Sequence, residues 1–535
     1  MAEPTLPEDP GEPEAHQLRP PNDWDAAIMW VKPRWRGVLI VGSILLMAIA
    51  CRKMHFSPDS IHYVDVARTI VSEHVIASWH LTLNAAQVPQ ATLYWPPMYP
   101  LLLAVPMALG LSYYTAAWLI AVLSGAAAIY LLVFWLRRPV WAIPLVALFL
   151  YLYFDTGLPF RALSEVPYVP IIFGALLCTA AAVTAQSRRQ RLLLAVSAGL
   201  LAGAAVLMRH MGVAILPALA AALLLAPQRE DEEGAKPLWQ ITLGMVVGLA
   251  IVVLPWLVRN LLVGSELLGL ERPASQMSLR DLAFWTGSMI YLHLGPALLA
   301  LTFAAVGYHL RPRGEDSRRE AFISTLTAGA FGSAIVHAVL VLVVQMLFQL
   351  DEPPTKRFFY PANASLLLGA AAMLSYATPP KGVLARRAGL IIALAAPIVL
   401  GPIFVSSLAR DITPRQTALD QWIRENTSAE DLIIANRGWS IRFNTGRPVL
   451  QSGQVGDPPI TDGERVAGFL ERFGGEFGEV YLVLPAEDEE AVGSYLRAGL
   501  HVEEVVTLET LSHDYDRPEP VELTVYRVTA ARSLP

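Results

Sequence analysis

The chain carries little charge and almost no cysteine. Only 16% of its 535 residues are charged, against about 25% in a typical soluble domain. The charges lie mainly in an acidic N-terminal segment, in short loops and after residue 409. The long charge-poor runs between them exclude a soluble globular fold for most of the chain and predict a polytopic membrane protein. Two cysteines, Cys51 and Cys178, lie in apolar runs and are too few for a disulfide framework or a thiolate metal site.

The two ends of the chain contribute its net charge of −6. This distribution argues against a nucleic-acid partner. Residues 1–24 are rich in proline and acid and contain no apolar core, so no cleavable signal peptide is predicted. Residues 1–30 are expected to form a disordered cytoplasmic tail.

Apolar runs of about 16–25 residues predict about eleven transmembrane helices, with the N-terminus inside and the C-terminus outside. The run 96–110 is short and contains Pro100 and Pro106. If it crossed, most loop arginines and lysines would lie outside, so a half-inserted segment is favoured there. The spans are expected near 37–54, 113–136, 139–154, 165–185, 192–208, 211–227, 238–258, 286–309, 321–349, 359–378 and 388–408.

From residue 409 the pattern changes to short alternating strands and helices. This alternation predicts a small C-terminal α/β domain (409–535) outside the membrane. Strands are expected near 431–435, 478–484 and 521–528, and helices near 418–425 and 487–498. The domain contains no glycine-rich phosphate loop and no metal-ligand spacing.

The most informative motif lies in the predicted first external loop (55–110, the first loop), where interfacial helices are expected. It opens with Phe56-Ser57-Pro58-Asp59-Ser60-Ile61-His62-Tyr63 and closes with Trp95-Pro96-Pro97-Met98-Tyr99-Pro100. Ser57 and Pro58 suit the start of a helix. Asp59, His62 and Tyr63 would then share one helical face. Asp59 either stabilises the helix dipole or acts on a substrate, with His62 and Tyr63 as candidate substrate contacts.

This pairing resembles the first external loop of the GT-C glycosyltransferases, membrane enzymes that take sugar from a polyprenyl-phosphate lipid. The superfamily includes the protein mannosyltransferases and the lipid A aminoarabinose transferases. The resemblance covers residues 37–410 and is strongest over 56–103. It implies a GT-C-like catalytic domain over 31–408 and an inverting sugar transfer to a hydroxyl of a glycan, lipid or protein acceptor. In that transfer Asp59 would act as a base or an orienting group.

The resemblance also implies a second acid in the next outer loop. Glu165, within Leu-Ser-Glu-Val-Pro, matches the position better, and Asp155 is the alternative. Glutamate is also common in the first turn of any helix, so Glu165 has a purely structural interpretation too.

Basic residues that lie outside against the positive-inside bias are candidates for binding an anion. Arg209 and His210 join two spans, where the arginine would either bind a lipid phosphate or extend to the headgroups. The segment 351–361 resembles a late Arg-Tyr-x-x-Pro element, although Phe358 and Phe359 separate its arginine from its tyrosine. The resemblance implies that Arg357, with Lys356, neutralises the departing phosphate. Tyr360 and, more weakly, Arg259 are further candidate substrate contacts.

His55, Asp59, His62 and Asp65 have a helical spacing that a divalent cation could use, but the set is too sparse in carboxylates to predict a metal site or to require a cofactor. Two rival functions are a transporter or lipid flippase and a non-catalytic envelope assembly protein. A transporter predicts inverted repeats and polar residues near span centres. No clear repeat is present, and the charges lie at span ends. A glycosyltransferase with a lipid-linked donor is therefore favoured.

Overall fold

A computed structural model of the protein describes residues 35–136, 139–226, 238–264, 294–309, 317–347, 356–375, 416–451, 459–511 and 519–530, with isolated positions between 278 and 287. Within these ranges it omits positions 53, 84, 86, 93, 94, 135, 159, 160 and 437. The predicted span 388–408 lies outside the described residues.

The part before residue 376 is mostly helical. Five of its described helices are long and apolar enough to cross a membrane: Tyr113–Val133, Glu165–Thr184, Arg188–Met208, Leu238–Val263 and Arg319–Val344. The chain is therefore a polytopic helical membrane protein. The helices are α1 (Trp35–Ala50), α2 (Pro58–Glu73), α3 (Met98–Ala108), α4 (Tyr113–Val133), α5 (Pro139–Asp155), α6 (Glu165–Thr184), α7 (Arg188–Met208), α8 (Ile215–Leu224), α9 (Leu238–Gly264), α10 (Gly295–His309), α11 (Ser317–Leu347) and α12 (Lys356–Leu374).

The segment predicted to be half-inserted forms the short helix α3. Its 11 residues extend over only about 16 Å at 1.5 Å per residue, which is too short to cross a bilayer. The predicted span 211–227 is also short: a 3₁₀ helix (His210–Ala214) leads into the 10-residue α8. The fold therefore combines long apolar helices with shorter ones.

Small residues bring α7 and α9 into backbone contact. A Cβ atom added at Gly199 would lie 2.0 Å from the Met245 carbonyl oxygen, and one added at Gly248 would lie 2.2 Å from the Val196 carbonyl oxygen. Each glycine belongs to a Gly-x-x-x-Gly pair, Gly199 with Gly203 and Gly248 with Gly244. Such pairs let membrane helices pack closely, because apolar burial alone does not drive their association in lipid.

The chain after residue 415 alternates helices and strands around one mixed sheet. Its six strands are β2 (His80–Thr82), β4 (Leu432–Ala435), β5 (Val449–Gln451), β6 (Val480–Pro485), β7 (Leu500–Leu511) and β8 (Pro520–Ala530). Their order across the sheet is β2-β5-β4-β6-β8-β7. Neighbouring strands are parallel from β2 to β6, and β8 is antiparallel to both β6 and β7. The helices are α13 (Ala418–Asn426), α14 (Gly438–Thr445), α15 (Gly463–Phe473) and α16 (Glu489–Arg497), and a separate two-stranded sheet pairs β1 (Ala77–Ser78) with β3 (Gln90–Ala91).

One edge strand of this sheet comes from the first loop. β2 pairs with β5 in parallel register, His80 opposite Val449 and Thr82 opposite Gln451. Leu81 is fully buried in the same apolar core as Leu432 and Phe469. The first loop and the C-terminal domain therefore share a sheet and a core, although more than 300 residues separate them in sequence.

Candidate active site

Two carboxylates and two guanidinium groups meet at one end of the helical bundle. Arg357 Nη1 lies 3.2 Å from Asp59 Oδ2, and Arg357 Nε lies 4.0 Å from Glu165 Oε1. Arg209 Nη1 forms an ion pair with Glu165 Oε1. These four residues (the ion cluster) come from four separate chain segments, and 298 positions separate Asp59 from Arg357. The sequence predicts that all four lie on the outer face, and in the structure they meet at one end of the bundle.

The start of α2 positions Asp59. Pro58 occupies the first turn and Ser57 is the N-cap residue, as predicted from the sequence. The Ser57 hydroxyl makes no capping bond and instead lies 2.9 Å from Ser60 Oγ. Asp59 lies in the first turn, where an acid stabilises the helix dipole. It also pairs with Arg357, which dipole stabilisation does not require.

The two carboxylates of the ion cluster differ in accessibility. The Glu165 side chain is 1% exposed, whereas Asp59 is 26% exposed and Arg357 is 20% exposed. A buried carboxylate is costly unless cations and hydrogen bonds compensate it, and Glu165 has two arginines beside it. Asp59 is therefore the acid that a molecule from outside can reach, while Glu165 holds the arginines in place.

The second turn of α2 connects Asp59 to Glu165. Tyr63 is buried, and its hydroxyl lies 3.2 Å from the Ser164 hydroxyl, which also accepts a hydrogen bond from Arg209 Nη1 at 3.4 Å. Burial, reinforced by the negative charge of Asp59, raises the pKa of Tyr63. Tyr63 thus stays neutral at physiological pH and can donate a proton to a hydrogen bond.

The two halves of the first-loop motif pack on each other. The Trp95 ring lies 5.6 Å from Tyr63 and 6.0 Å from His62 between centroids, and Tyr63 meets Tyr99 edge-on at 5.1 Å. Such aromatic pairs add to the stabilisation that burial gives. The Trp-Pro-Pro-Met-Tyr-Pro segment therefore supports the helix that carries Asp59.

Phe358 and His337 belong to the site and were missed from the sequence. The Phe358 ring centroid lies 4.9 Å from the Arg357 guanidinium carbon and 5.8 Å from that of Arg209, within cation–π range. His337 Nε2 lies 3.1 Å from the Phe358 carbonyl oxygen. A histidine well inside an apolar span is itself a signal of function, which could have drawn attention to His337.

Several predicted site residues lie outside the ion pairs that define the cluster. Asp155 is the last residue of α5, and His210 is an exposed residue immediately after Arg209. Lys356 begins α12 next to Arg357, and its side chain lies outside the described part. Tyr360 is 1% exposed and packs in an aromatic group with Phe149 and Tyr153, with ring centroids 6.2 and 5.8 Å away.

Arg259 contacts the first loop. It donates to the carbonyl oxygens of Ile76 at 2.7 Å and Thr92 at 3.0 Å, and its guanidinium lies 4.6 Å from the Trp256 ring centroid. These contacts fix the segment around β1 and β3 to the end of α9.

Asp65, one of the four residues with metal-like spacing, has its carboxylate bonded to protein donors. Asp65 accepts hydrogen bonds from Arg442 Nε at 2.6 Å, Ser78 Oγ at 2.7 Å and the Trp79 amide at 3.0 Å. Both of its carboxylate oxygens therefore bind protein donors. In the ranges that the structure describes, no group of three His, Cys, Asp or Glu residues could hold a metal ion.

The fold resembles that of known membrane enzymes, although no protein-family model matches the chain and no curated protein matches its sequence. ArnT from Cupriavidus metallidurans, in its structure bound to undecaprenyl phosphate, is 13% identical with a TM-score of 0.55, and the alignment covers 92% of this chain and 98% of ArnT. The Archaeoglobus fulgidus oligosaccharyltransferase tethered to an acceptor peptide is also 13% identical, with a TM-score of 0.49 and coverage of 89% and 73%. The chain therefore shares its fold with ArnT, the GT-C fold.

Proposed function

We propose that the protein transfers a sugar from a polyprenyl-phosphate donor to an acceptor hydroxyl on the outer face of the membrane. The observation that carries this proposal is the contact of an accessible carboxylate, Asp59, with Arg357, which a buried carboxylate and a second arginine support. The GT-C fold adds support, because ArnT, whose alignment covers 98% of its own chain, binds undecaprenyl phosphate.

In the proposed reaction the acceptor hydroxyl attacks the anomeric carbon of the donor. The new bond joins the acceptor oxygen to that carbon, and the bond from the carbon to the phosphate oxygen breaks. Asp59 takes the acceptor proton, and the polyprenyl phosphate leaves with the electrons of the broken bond. A single displacement of this kind inverts the configuration at the anomeric carbon.

The arginines supply the positive charge that the leaving phosphate needs. Guanidinium groups bind phosphate oxygens in a forked geometry and are permanently charged. A cation fixed beside the phosphate stabilises the transition state more than the ground state, because negative charge grows on the leaving oxygen. Arg357 lies beside Asp59 and is 20% exposed, so we assign it to the phosphate together with Lys356. Glu165 holds both arginines in place.

The remaining candidates have secondary roles in this scheme. We propose that His62 contacts the acceptor beside Asp59 and that the exposed His210 contacts the substrate next to Arg209. Tyr63, predicted as a substrate contact, is buried and supports α2 through its hydrogen bond with Ser164. Asp155 stays the alternative second acid. The scheme is written without a metal ion, and a divalent cation is the alternative cofactor.

We also propose the topology of about eleven spans, with a cytoplasmic N-terminus and an extracytoplasmic C-terminal domain. It is supported by the first loop, because β2 joins the sheet of the C-terminal domain and both must then lie on the same side of the membrane. The ion cluster lies on that side, next to α2.

The test is sugar transfer from a panel of radiolabelled polyprenyl-phospho-sugars, in membranes that contain wild type, Asp59→Asn or the control Glu464→Gln. Glu464 is an exposed acid in the first turn of α15. Wild type and control should consume one donor, and Asp59→Asn at equal expression should not. If Asp59→Asn transfers sugar at the wild-type rate, Asp59 is not the base, and Asp155 or Glu165 takes the acceptor proton instead. If wild type consumes no donor of the panel, the transporter or flippase function gains support.

A further inference from the structure

We propose that Arg442 of the C-terminal domain is a positioning residue for Asp59: its ion pair with Asp65 fixes α2 and with it the carboxylate that faces Arg357. The inference rests on the proposed function for the role of Asp59. The fixing of α2 itself rests on contacts that are independent of the reaction.

Asp65 is the buried acid of α2. Its side chain is 3% exposed and that of Arg442 is 10% exposed, and the two form a 2.6 Å ion pair. Arg68, on the next turn of α2, adds positive charge nearby. Removing one partner of a buried ion pair is destabilising, so the ion pair with Arg442 stabilises α2 at this position.

Arg442 is itself fixed within its own domain. Its Nη1 also donates to the carbonyl oxygen of Gly446, just beyond the end of α14. A guanidinium held at both Asp65 and Gly446 cannot follow α2 if the helix shifts. Movement of α2 relative to α14 therefore breaks hydrogen bonds to a charged group, which are the strong ones.

A second contact joins α14 to the start of α2. The Phe443 ring packs against both Phe56 and Tyr113, with centroids 5.3 and 5.4 Å away, and these two rings also contact each other. Phe56 is two residues before the first residue of α2. The Arg68 guanidinium lies over Tyr113 at 4.8 Å and over Phe443 at 5.9 Å. The helix is thus held at its beginning and near its middle by the same short helix of the C-terminal domain.

The third contact is the shared sheet. Asp65 binds Ser78 Oγ and the Trp79 amide, and the Trp79 carbonyl oxygen accepts from the Val449 amide at 3.0 Å. The residues that follow form β2, the edge strand beside β5. Through this segment the Asp65 carboxylate connects α2 to the backbone of the C-terminal sheet.

Asp59 and Asp65 lie on the same helix, about 9 Å apart along its axis and about 120° apart around it. One faces the ion cluster and the other faces the C-terminal domain. A helix of four turns transmits a shift at one residue to the other. A displacement of about 1 Å at a reacting group can cost about a hundredfold in rate, so this connection matters for transfer.

The test compares Arg442→Gln with the matched control Arg465→Gln. The control removes an exposed arginine of the same domain, which pairs with Asp462, the N-cap residue of its own helix. We expect Arg442→Gln to lower kcat for sugar transfer about tenfold to a hundredfold and to leave KM for the donor nearly unchanged, because Arg357 is retained. The control should match wild type in both constants. Wild-type kcat in Arg442→Gln would overturn the proposal.

A readout without catalysis separates this proposal from the proposed function. In a Cys51→Ala, Cys178→Ala background, Asp59→Cys and Arg357→Cys are joined by a short bifunctional thiol reagent, and Arg442→Gln should slow this cross-linking while Arg465→Gln should not. If wild type transfers no sugar but Arg442→Gln slows cross-linking, the proposed function fails and the positioning of α2 stands. Equal cross-linking rates overturn the positioning.

The double variant Asp65→Asn, Arg442→Gln tests whether the loss of activity in Arg442→Gln is caused by misfolding. It leaves neither partner as an unpaired buried charge, so it should accumulate in the membrane at least as well as Arg442→Gln. Glutamine is shorter than arginine, so the connection between the two helices stays broken. Lowered kcat and slow cross-linking are therefore expected again, and wild-type values of both in this variant would overturn the proposal.

Discussion

Replacing Arg357 by glutamine tests the charge arrangement of the ion cluster. Arg357 lies 3.2 Å from Asp59 and 4.0 Å from Glu165, and its guanidinium lies over the Phe358 ring. In the proposed reaction it faces the departing phosphate. Removal of one preorganised group beside a developing oxyanion costs about 2.7–4 kcal/mol, or about 10²–10³ in kcat. We expect Arg357→Gln to lose transfer activity by that factor.

Arg357→Lys should lose less, about tenfold, because lysine keeps the charge but lacks the planar fork that contacts two acceptors at once. Neither variant should prevent folding. The Asp59–Arg357 pair is partly exposed and contributes at most about 1 kcal/mol, and Glu165 keeps Arg209 as its partner.

Initial rates over a range of donor concentrations, for wild type, both Arg357 variants and Arg465→Gln, provide the measurement. A kcat of Arg357→Gln within about threefold of wild type would refute the argument, because that is less than 1 kcal/mol of transition-state stabilisation. A loss confined to KM would also count against it, since it would mean that Arg357 binds the donor and the transition state equally.

Two further predictions concern stability. Glu165→Gln leaves Arg209 without its buried partner and should lower the free energy of unfolding by about 3–5 kcal/mol. Asp59→Asn should lower it by less than about 1 kcal/mol. In detergent, Glu165→Gln should therefore unfold at a lower temperature than Asp59→Asn, and equal midpoints would contradict this. In the C-terminal domain, burial tends to raise the pKa of Asp431, but hydrogen bonds from the Glu479 amide and from the Ser428 hydroxyl and amide outweigh it, and the net pKa is lowered. The stabilisation from this carboxylate is therefore complete above its unfolded pKa of about 3.9 and is lost as pH falls through the lower folded value. At pH 7, Asp431→Asn should unfold at a lower temperature than wild type. Below pH 4, its unfolding temperature should decrease less than that of wild type. Thermal unfolding of the full chain under both conditions checks this.

The helices that position the site could be predicted from the sequence. Apolar runs bounded by charged loops predicted the long spans, and Ser57 with Pro58 predicted the first turn of α2, because both patterns depend on local chemistry alone. The positive-inside bias predicted that Asp59, Glu165, Arg209 and Arg357 share one face. That bias depends on loop charge and is therefore visible without knowledge of the packing.

Contacts between distant segments could not be predicted in this way. Asp65 shares helical spacing with His55, Asp59 and His62, and this spacing suggested metal ligands; its actual partner, Arg442, lies 377 residues later. The three residues of β2 are too few to show a period, so nothing local marks them as an edge of the C-terminal sheet. Arg259 was grouped with phosphate ligands because it is basic and external, yet it hydrogen-bonds the backbone of the first loop.

The charges of the ion cluster match the charge changes of the proposed reaction. Two carboxylates and two arginines are neutral together. A phosphodiester donor brings one negative charge, and the polyprenyl phosphate that leaves carries two. Over the same step Asp59 accepts the acceptor proton and loses its charge, so one unit of negative charge moves from the carboxylate to the phosphate. Arg357 contacts Asp59 at the start, and as that charge moves it can exchange the carboxylate for the phosphate as its partner. Glu165 stays charged throughout, and its burial beside both arginines keeps them in position while the partner of Arg357 changes.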